Sequence, residues 1–92
     1  MTVAVLGSSE LQAETGIDNI KIVEQLCKEQ SEAMLEELDL APSNWRAQKH
    51  NDDVSFNIEG FWSTRNGSYL VECSLPFKAS ENELELNLYQ TE

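Results

Sequence analysis

The stretch NIEGFWSTRNGSYLVECSLPF, residues 57–77, constrains the fold most, because its pattern predicts two strands around one tight turn. Asn66-Gly67 is the strongest short hairpin signal, since a type I′ turn needs positive φ at both of its central residues. With this dipeptide as a two-residue loop, the facing pairs on one side of the hairpin are Thr64 with Tyr69, Trp62 with Val71, Gly60 with Cys73, Ile58 with Leu75 and Phe56 with Phe77. That side is almost wholly apolar, so we expect it to face the core.

Two further alternating segments flank the hairpin. Upstream, Trp45 and Ala47 alternate with polar residues, and a turn at HNDD, residues 50–53, is predicted to bring Ala47 opposite Phe56. Downstream, ELELNLY, residues 83–89, alternates so that three leucines point inward: Leu84, Leu86 and Leu88. The four strands are therefore predicted to form an antiparallel meander with one apolar face.

A helix is predicted from Asp18 to about Leu40, with Thr15 and Asp18 forming a start similar to a capping box. Its apolar residues recur at spacings of three and four and are predicted to form its buried face: Ile20, Val23, Cys27, Met34 and Leu38. TVAVL, Thr2 to Leu6, predicts a short strand before it.

These elements predict one α+β domain over residues 1–92, with a long helix packed on a four- to five-stranded antiparallel meander in β-α-β-β-β-β order. That order resembles the outline of the cystatin-like fold. The resemblance lies in element order alone, and no inhibitory loop motif of that family matches, so it implies a fold and no binding residue.

The charge is one-sided. Seventeen acidic residues against six basic ones give a formal net charge of −11, which argues against direct nucleic-acid binding because phosphate contacts depend on Lys and Arg. No run approaches the roughly 20 apolar residues of a membrane span, so no membrane partner is expected. The start MTVAVLGSSE lacks the features of a secretion signal, and Cys27 and Cys73 are the only cysteines, so we expect a cytoplasmic protein with free thiols.

No catalytic, metal or nucleotide motif is present. The single histidine, His50, is predicted to lie in a solvated turn beside Asp52 and Asp53, and both Cys27 and Cys73 are predicted to point into the core. We therefore expect no enzymatic activity, no metal and no cofactor.

Two surfaces are candidate binding sites. The first is an acidic ridge on the helix face opposite the apolar residues, formed by Glu29, Glu32, Glu36 and Asp39. Most such charge runs are simply solvated. However, Glu32 and Glu36 repel at i,i+4, and anions near a helix C-terminus oppose the macrodipole, so the ridge costs stability. A second apolar strip lies on the helix shoulder and consists of Ile22, Leu26 and Ala33. Either the strand Thr2 to Leu6 or a second subunit could cover it, and in the second case it is an oligomer contact.

The second surface is the face of the sheet turned away from the core. Phe61, Leu70 and Tyr89 are predicted to lie near one another there, with Tyr89 beside Glu72. Scattered apolar surface residues are normal. Aromatic residues ringed by carboxylates are nevertheless typical of a protein-binding patch.

The leading hypothesis is a small acidic binding protein that covers a basic surface of another protein, as an inhibitor, an antitoxin-like partner or a regulator, with a nucleic-acid mimic as the extreme version. The first alternative is a chaperone or assembly factor that holds a client segment on the aromatic patch or a free sheet edge. The second is a subunit of a larger complex, and a homodimer is also possible.

Overall fold

The computed structural model describes residues 16–91. Their elements are α1 (Ile20–Glu37), β1 (Ser43–Asn51), β2 (Ser55–Thr64), β3 (Gly67–Pro76), a 3-10 turn (Glu81–Glu83) and β4 (Glu85–Gln90). The strands form one antiparallel sheet in the order β1-β2-β3-β4, and α1 packs across its inner face, mainly over β2. This confirms a helix on a four-stranded meander. The predicted strand Thr2 to Leu6 lies outside the described residues, so a fifth strand and the cystatin-like order stay predictions.

The helix is shorter at both ends than predicted. Asn19 is its N-cap, because the Asn19 side chain accepts a hydrogen bond of 2.8 Å from the Lys21 amide, while Asp18 lies before the cap. The helix ends at Glu37, and Asp39 then takes a left-handed φ of 61° that no α-helix can continue. Thr15 lies outside the described residues.

The buried face of α1 follows four-residue steps and consists of Val23, Cys27, Ser31 and Leu35. The prediction that Met34 and Leu38 are buried was wrong, because they are 41% and 60% exposed. Sequence periodicity ranked methionine above serine for the core. The structure buries Ser31 because both sides of its hydroxyl are satisfied: Ser31 Oγ donates to Cys27 O at 2.6 Å and accepts from Trp62 Nε1 at 2.9 Å.

The two cysteines are joined in a disulfide. Cys27 on α1 and Cys73 on β3 are both buried, as predicted, and their Cα atoms lie 6.0 Å apart. The expectation of free thiols was wrong. It rested on the expected compartment, whereas the buried faces of the helix and the sheet bring the two side chains into contact.

The β2–β3 hairpin has the predicted faces but a different register. Its loop is Arg65-Asn66, and Thr64 lies opposite Gly67. Only Gly67 of these residues has positive φ, at 105°, so the turn is not type I′. The Thr64 hydroxyl fixes this turn, because it accepts from the Asn66 amide at 3.0 Å and donates to Gly67 O at 2.7 Å.

Because the shift is by two residues, the same side chains still face inward. The inner-face pairs are Trp62 with Tyr69, Gly60 with Val71, Ile58 with Cys73 and Phe56 with Leu75. Phe77 lies just after β3, where its ring packs against Phe56 edge-on at 4.8 Å between centroids.

The β1–β2 register also differs from the prediction. Ala47 lies opposite Gly60 rather than Phe56, and the turn follows Asn51, so His50 belongs to β1 rather than to the turn. Gly60 is required because a Cβ there would overlap the ring of Trp45, which lies 5.0 Å from the ring of Trp62. The prediction placed Ala47 too close to the turn because it began the turn at His50, whereas β1 continues to Asn51.

Asp52 builds the β1–β2 turn. Its Oδ1 accepts hydrogen bonds from the Val54 amide at 2.9 Å and from the Ser55 amide at 2.8 Å, and the Ser55 hydroxyl also donates to it. These donors stabilise the ionised carboxylate and lower the pKa of Asp52 to about 2.

Replacing Asp52 with asparagine is expected to destabilise the protein at neutral pH. A lowered folded-state pKa gives stability that is present above the unfolded value of about 4 and is lost as the pH falls toward about 2. The Asp52→Asn variant should therefore have a lower urea midpoint at pH 7 and a flatter acid dependence between about pH 4 and about pH 2. Asp53→Asn is the matched control, because Asp53 is exposed beside it and accepts none of these bonds. Equal losses in both variants would contradict this role for Asp52.

Candidate functional site

A row of side chains crosses the outer face of the sheet, which is the face away from α1. Phe61 on β2 lies opposite Leu70 on β3, and Leu70 lies opposite Tyr89 on β4. Phe61 and Leu70 are half-buried, and Tyr89 is 47% exposed. We call these three residues the aromatic row. The structure brings them together as predicted, although the cross-strand neighbour of Tyr89 is Leu70 rather than Glu72.

The aromatic row has a cation at its β1 end. Arg46 lies opposite Phe61, and its guanidinium carbon lies 5.7 Å from the centroid of the Phe61 ring. This distance is within the range of a cation–π interaction, which is worth about 0.5–1 kcal/mol at an exposed site. Sequence reasoning missed this contact because it depends on the β1 register.

The next row along the strands is acidic at its centre. Glu59 on β2 lies directly opposite Glu72 on β3, with Gln48 and Asn87 completing the row on the edge strands. Like charges placed opposite each other destabilise a sheet. Within residues 16–91, the one ion pair joins Lys49 to Glu24, so no salt bridge neutralises Glu59 or Glu72 there. We call Glu59 and Glu72 the acidic pair.

The acidic ridge lies on the opposite side of the molecule. Glu29 and Glu36 are exposed on α1, Glu32 is half-buried, and Asp39 lies after the helix end. Glu29 Oε2 accepts a hydrogen bond from Gln25 Nε2. The eight predicted partner-binding residues therefore divide into two surfaces, because Phe61, Leu70, Glu72 and Tyr89 share the sheet face and the four ridge residues do not.

Glu24 is an acidic residue with a structural role that sequence reasoning missed. It joins α1 to β1, since Lys49 Nζ lies 3.0 Å from Glu24 Oε1 and Trp45 Nε1 donates to Glu24 Oε2 at 3.2 Å. The hydrogen bond with Lys49 holds the pKa of Glu24 below its ordinary value. Glu24 is thus occupied by contacts within the fold.

The helix shoulder carries exposed apolar side chains. Ile22 is 48% exposed, Ala33 is exposed, and Leu26 is half-buried. Met34 and Leu38, which were predicted to lie in the core, are also exposed on α1 and just after it.

A shallow depression of about 210 Å³ lies near the acidic pair and is lined in part by His50, Glu59 and Glu72. Among residues 16–91, no group of three or more His, Cys, Asp or Glu side chains is arranged to hold a metal ion. No helix in the described range is long and apolar enough to cross a membrane.

Comparisons of this chain with known protein families, with curated proteins and with solved structures find no match. The case for a function therefore rests on the outer sheet face and its charges.

Proposed function

We propose that this protein is a small non-enzymatic binding module whose outer sheet face covers a basic surface of a partner protein. The observation that carries this is the aromatic row directly beside the acidic pair. Aromatic anchors near the centre of a contact supply most of its binding energy, whereas charges at its rim supply steering and specificity.

The acidic pair requires a positively charged group on the partner. Two facing carboxylates cost free energy in the isolated sheet, and a Lys or Arg placed between them by a partner removes that cost. The net charge of −11 adds long-range attraction to a basic protein and speeds its association. An inhibitor, an antitoxin-like partner or a regulator would work in this way, with no direct contact to nucleic acid or membrane.

Two alternatives use other features. A chaperone or assembly factor would hold a client segment on the aromatic row by hydrophobic contact, with little dependence on salt. A subunit of a larger complex would use the helix shoulder, where Ile22 is exposed. The nucleic-acid mimic would use the acidic ridge in place of the sheet face.

The disulfide indicates the redox state of the compartment in which the protein acts. A buried bond between Cys27 and Cys73 favours an oxidising environment, because cytosolic thiols are normally kept reduced. The disulfide therefore favours an oxidising compartment over the cytoplasm expected from the sequence.

The test measures binding of a partner captured from source-cell lysate, at about 50 mM and about 500 mM salt, where the Debye length shrinks roughly threefold. We expect Phe61→Ser/Leu70→Ser to lower affinity at least tenfold and high salt to weaken the wild-type complex. Glu59→Gln/Glu72→Gln should reduce the salt dependence and leave the fold intact, while the remaining net charge of −9 (−11 + 2) preserves part of the long-range attraction.

Met34→Ser/Leu38→Ser is the matched control, because it removes two exposed apolar side chains from the other side of the molecule. Circular dichroism of each variant checks that it is folded. Loss of binding in Glu29→Lys/Glu32→Lys/Glu36→Lys, with the sheet variants unaffected, would assign the function to the acidic ridge. Binding by the sheet face that persists at high salt would instead favour the chaperone.

A further inference from the structure

The two edge strands of the sheet, β1 and β4, differ in how well they are protected from pairing with another chain. β1 has a register irregularity between Ser43 and Arg46, and Asn44 has a φ of 60°. Together with the charged side chains of Arg46 and Lys49, these features keep an edge strand from pairing with another chain. β4 pairs with β3 in regular register and contains no lysine, proline or bulge.

Among residues 16–91, nothing pairs with the backbone groups on the outer edge of β4. Thr91 donates its amide to Ser68 O at 2.9 Å, so that amide points toward β3. Because the direction alternates along an antiparallel strand, the amides of Leu86, Leu88 and Gln90 point away from β3. Within residues 16–91, no strand lies beyond β4.

We propose that two copies of this protein pair through β4, antiparallel and centred on Asn87. In this register Leu86 lies opposite Leu88 of the second copy, Asn87 faces its own equivalent, and Glu85 lies opposite Tyr89. Residues from the same face of the sheet therefore meet, as antiparallel pairing requires. The Leu86 amide of each copy donates to the Leu88 carbonyl of the other, and the Leu88 amide donates to the Leu86 carbonyl, which extends the ladder across the dimer.

A second copy fits this edge because the strand is self-complementary. Leu86 and Leu88 are half-buried in the single chain, so pairing them with their equivalents removes apolar surface from water. No two carboxylates face each other across the pair, although each chain has a net charge of −11. The interface uses the backbone edge of β4 and shares only Tyr89 with the aromatic row, so the dimer is tested independently of the proposed function.

The charge gives the dimer a distinctive salt dependence. Two chains of −11 repel at long range, and salt screens that repulsion. Raising salt from about 50 mM to about 500 mM should tighten the dimer, whereas it should weaken binding to a basic partner.

The first experiment is sedimentation equilibrium of the full chain over a wide concentration range at both salt concentrations, together with amide hydrogen exchange. We expect a monomer–dimer equilibrium that tightens with salt. Protection of the Leu86 and Leu88 amides should rise with protein concentration. A chain that stays monomeric would overturn the proposal, and protection of these amides in that monomer would assign the edge to other residues of the same chain.

Two matched variants test the placement of the interface. Asn87 and Gln48 stand at opposite ends of one row, each beside a glutamate of the acidic pair. Asn87→Asp sets two carboxylates face to face at the centre of the interface and should weaken the dimer about fivefold, whereas Gln48→Glu should change it less than about twofold. A dimer equally sensitive to both changes, or to neither, would show that β4 is not the interface.

Discussion

Replacing both cysteines with alanine is expected to lower the free energy of unfolding by about 4 kcal/mol. The Cys27–Cys73 bond closes a sequence separation of 46 residues, and restricting the unfolded chain over a loop of that length gives roughly this value. This is a large share of the roughly 5–15 kcal/mol that stabilises a typical domain. Urea unfolding of the wild type and of Cys27→Ala/Cys73→Ala measures the difference.

Dithiothreitol supplies the control for this prediction. Cys27 and Cys73 are 0% and 4% exposed, so a reductant reaches the bond when the protein opens. Added during unfolding, it should lower the wild-type midpoint toward that of the double variant and leave the double variant unchanged. A wild-type midpoint that ignores the reductant would mean that the bond does not stabilise the fold.

The faces of the strands could be predicted from sequence, but the registers could not. A period of two decides which side chains point inward, and it survives any slip by two residues. The β2–β3 register depends on the Thr64 hydroxyl, which holds Arg65-Asn66 as the loop. A side-chain hydrogen bond to the backbone of a turn cannot be read from the alternation of apolar residues. The Asn66-Gly67 dipeptide does match a known turn preference, so the sequence favoured the wrong loop.

In the candidate site, too, the face of each residue could be predicted from the sequence but its cross-strand neighbours could not. Phe61, Leu70 and Tyr89 were predicted on the outer face because each has the right parity along its strand. Their alignment in one row requires the true register, because a hairpin with Asn66-Gly67 as its loop sets Phe61 opposite Glu72. The proximity was therefore predictable, and the aromatic row was not.

The core differs from the prediction at Ser31, a polar residue that is buried because of its hydrogen bonds. Hydrophobic periodicity favours Met34, while the row of α1 that meets the sheet passes through Ser31. That serine is buried because the Trp62 indole needs an acceptor, and sequence patterns do not register a hydrogen bond between residues so far apart in the chain.

Trp62 should be among the most sensitive positions of the core. It is 3% exposed, and Trp62→Ala is expected to lower the free energy of unfolding by about 3–5 kcal/mol. Ser31→Ala should cost about 1–3 kcal/mol, because it leaves the buried indole N–H without its acceptor. Urea unfolding measures both losses. Trp45→Phe is the control, since Trp45 is half-buried and donates to Glu24 near the surface.

A double-mutant cycle separates the hydrogen bond from the packing. Trp62→Phe removes the donor, while Ser31 still donates to Cys27 O, so no polar group of Ser31 loses its only partner. Ser31→Ala should then cost about 1 kcal/mol less in the phenylalanine background than in the wild type, because phenylalanine needs no acceptor. Additive losses would mean that Ser31 does not satisfy the indole, and that the Trp62 effect comes from buried volume alone.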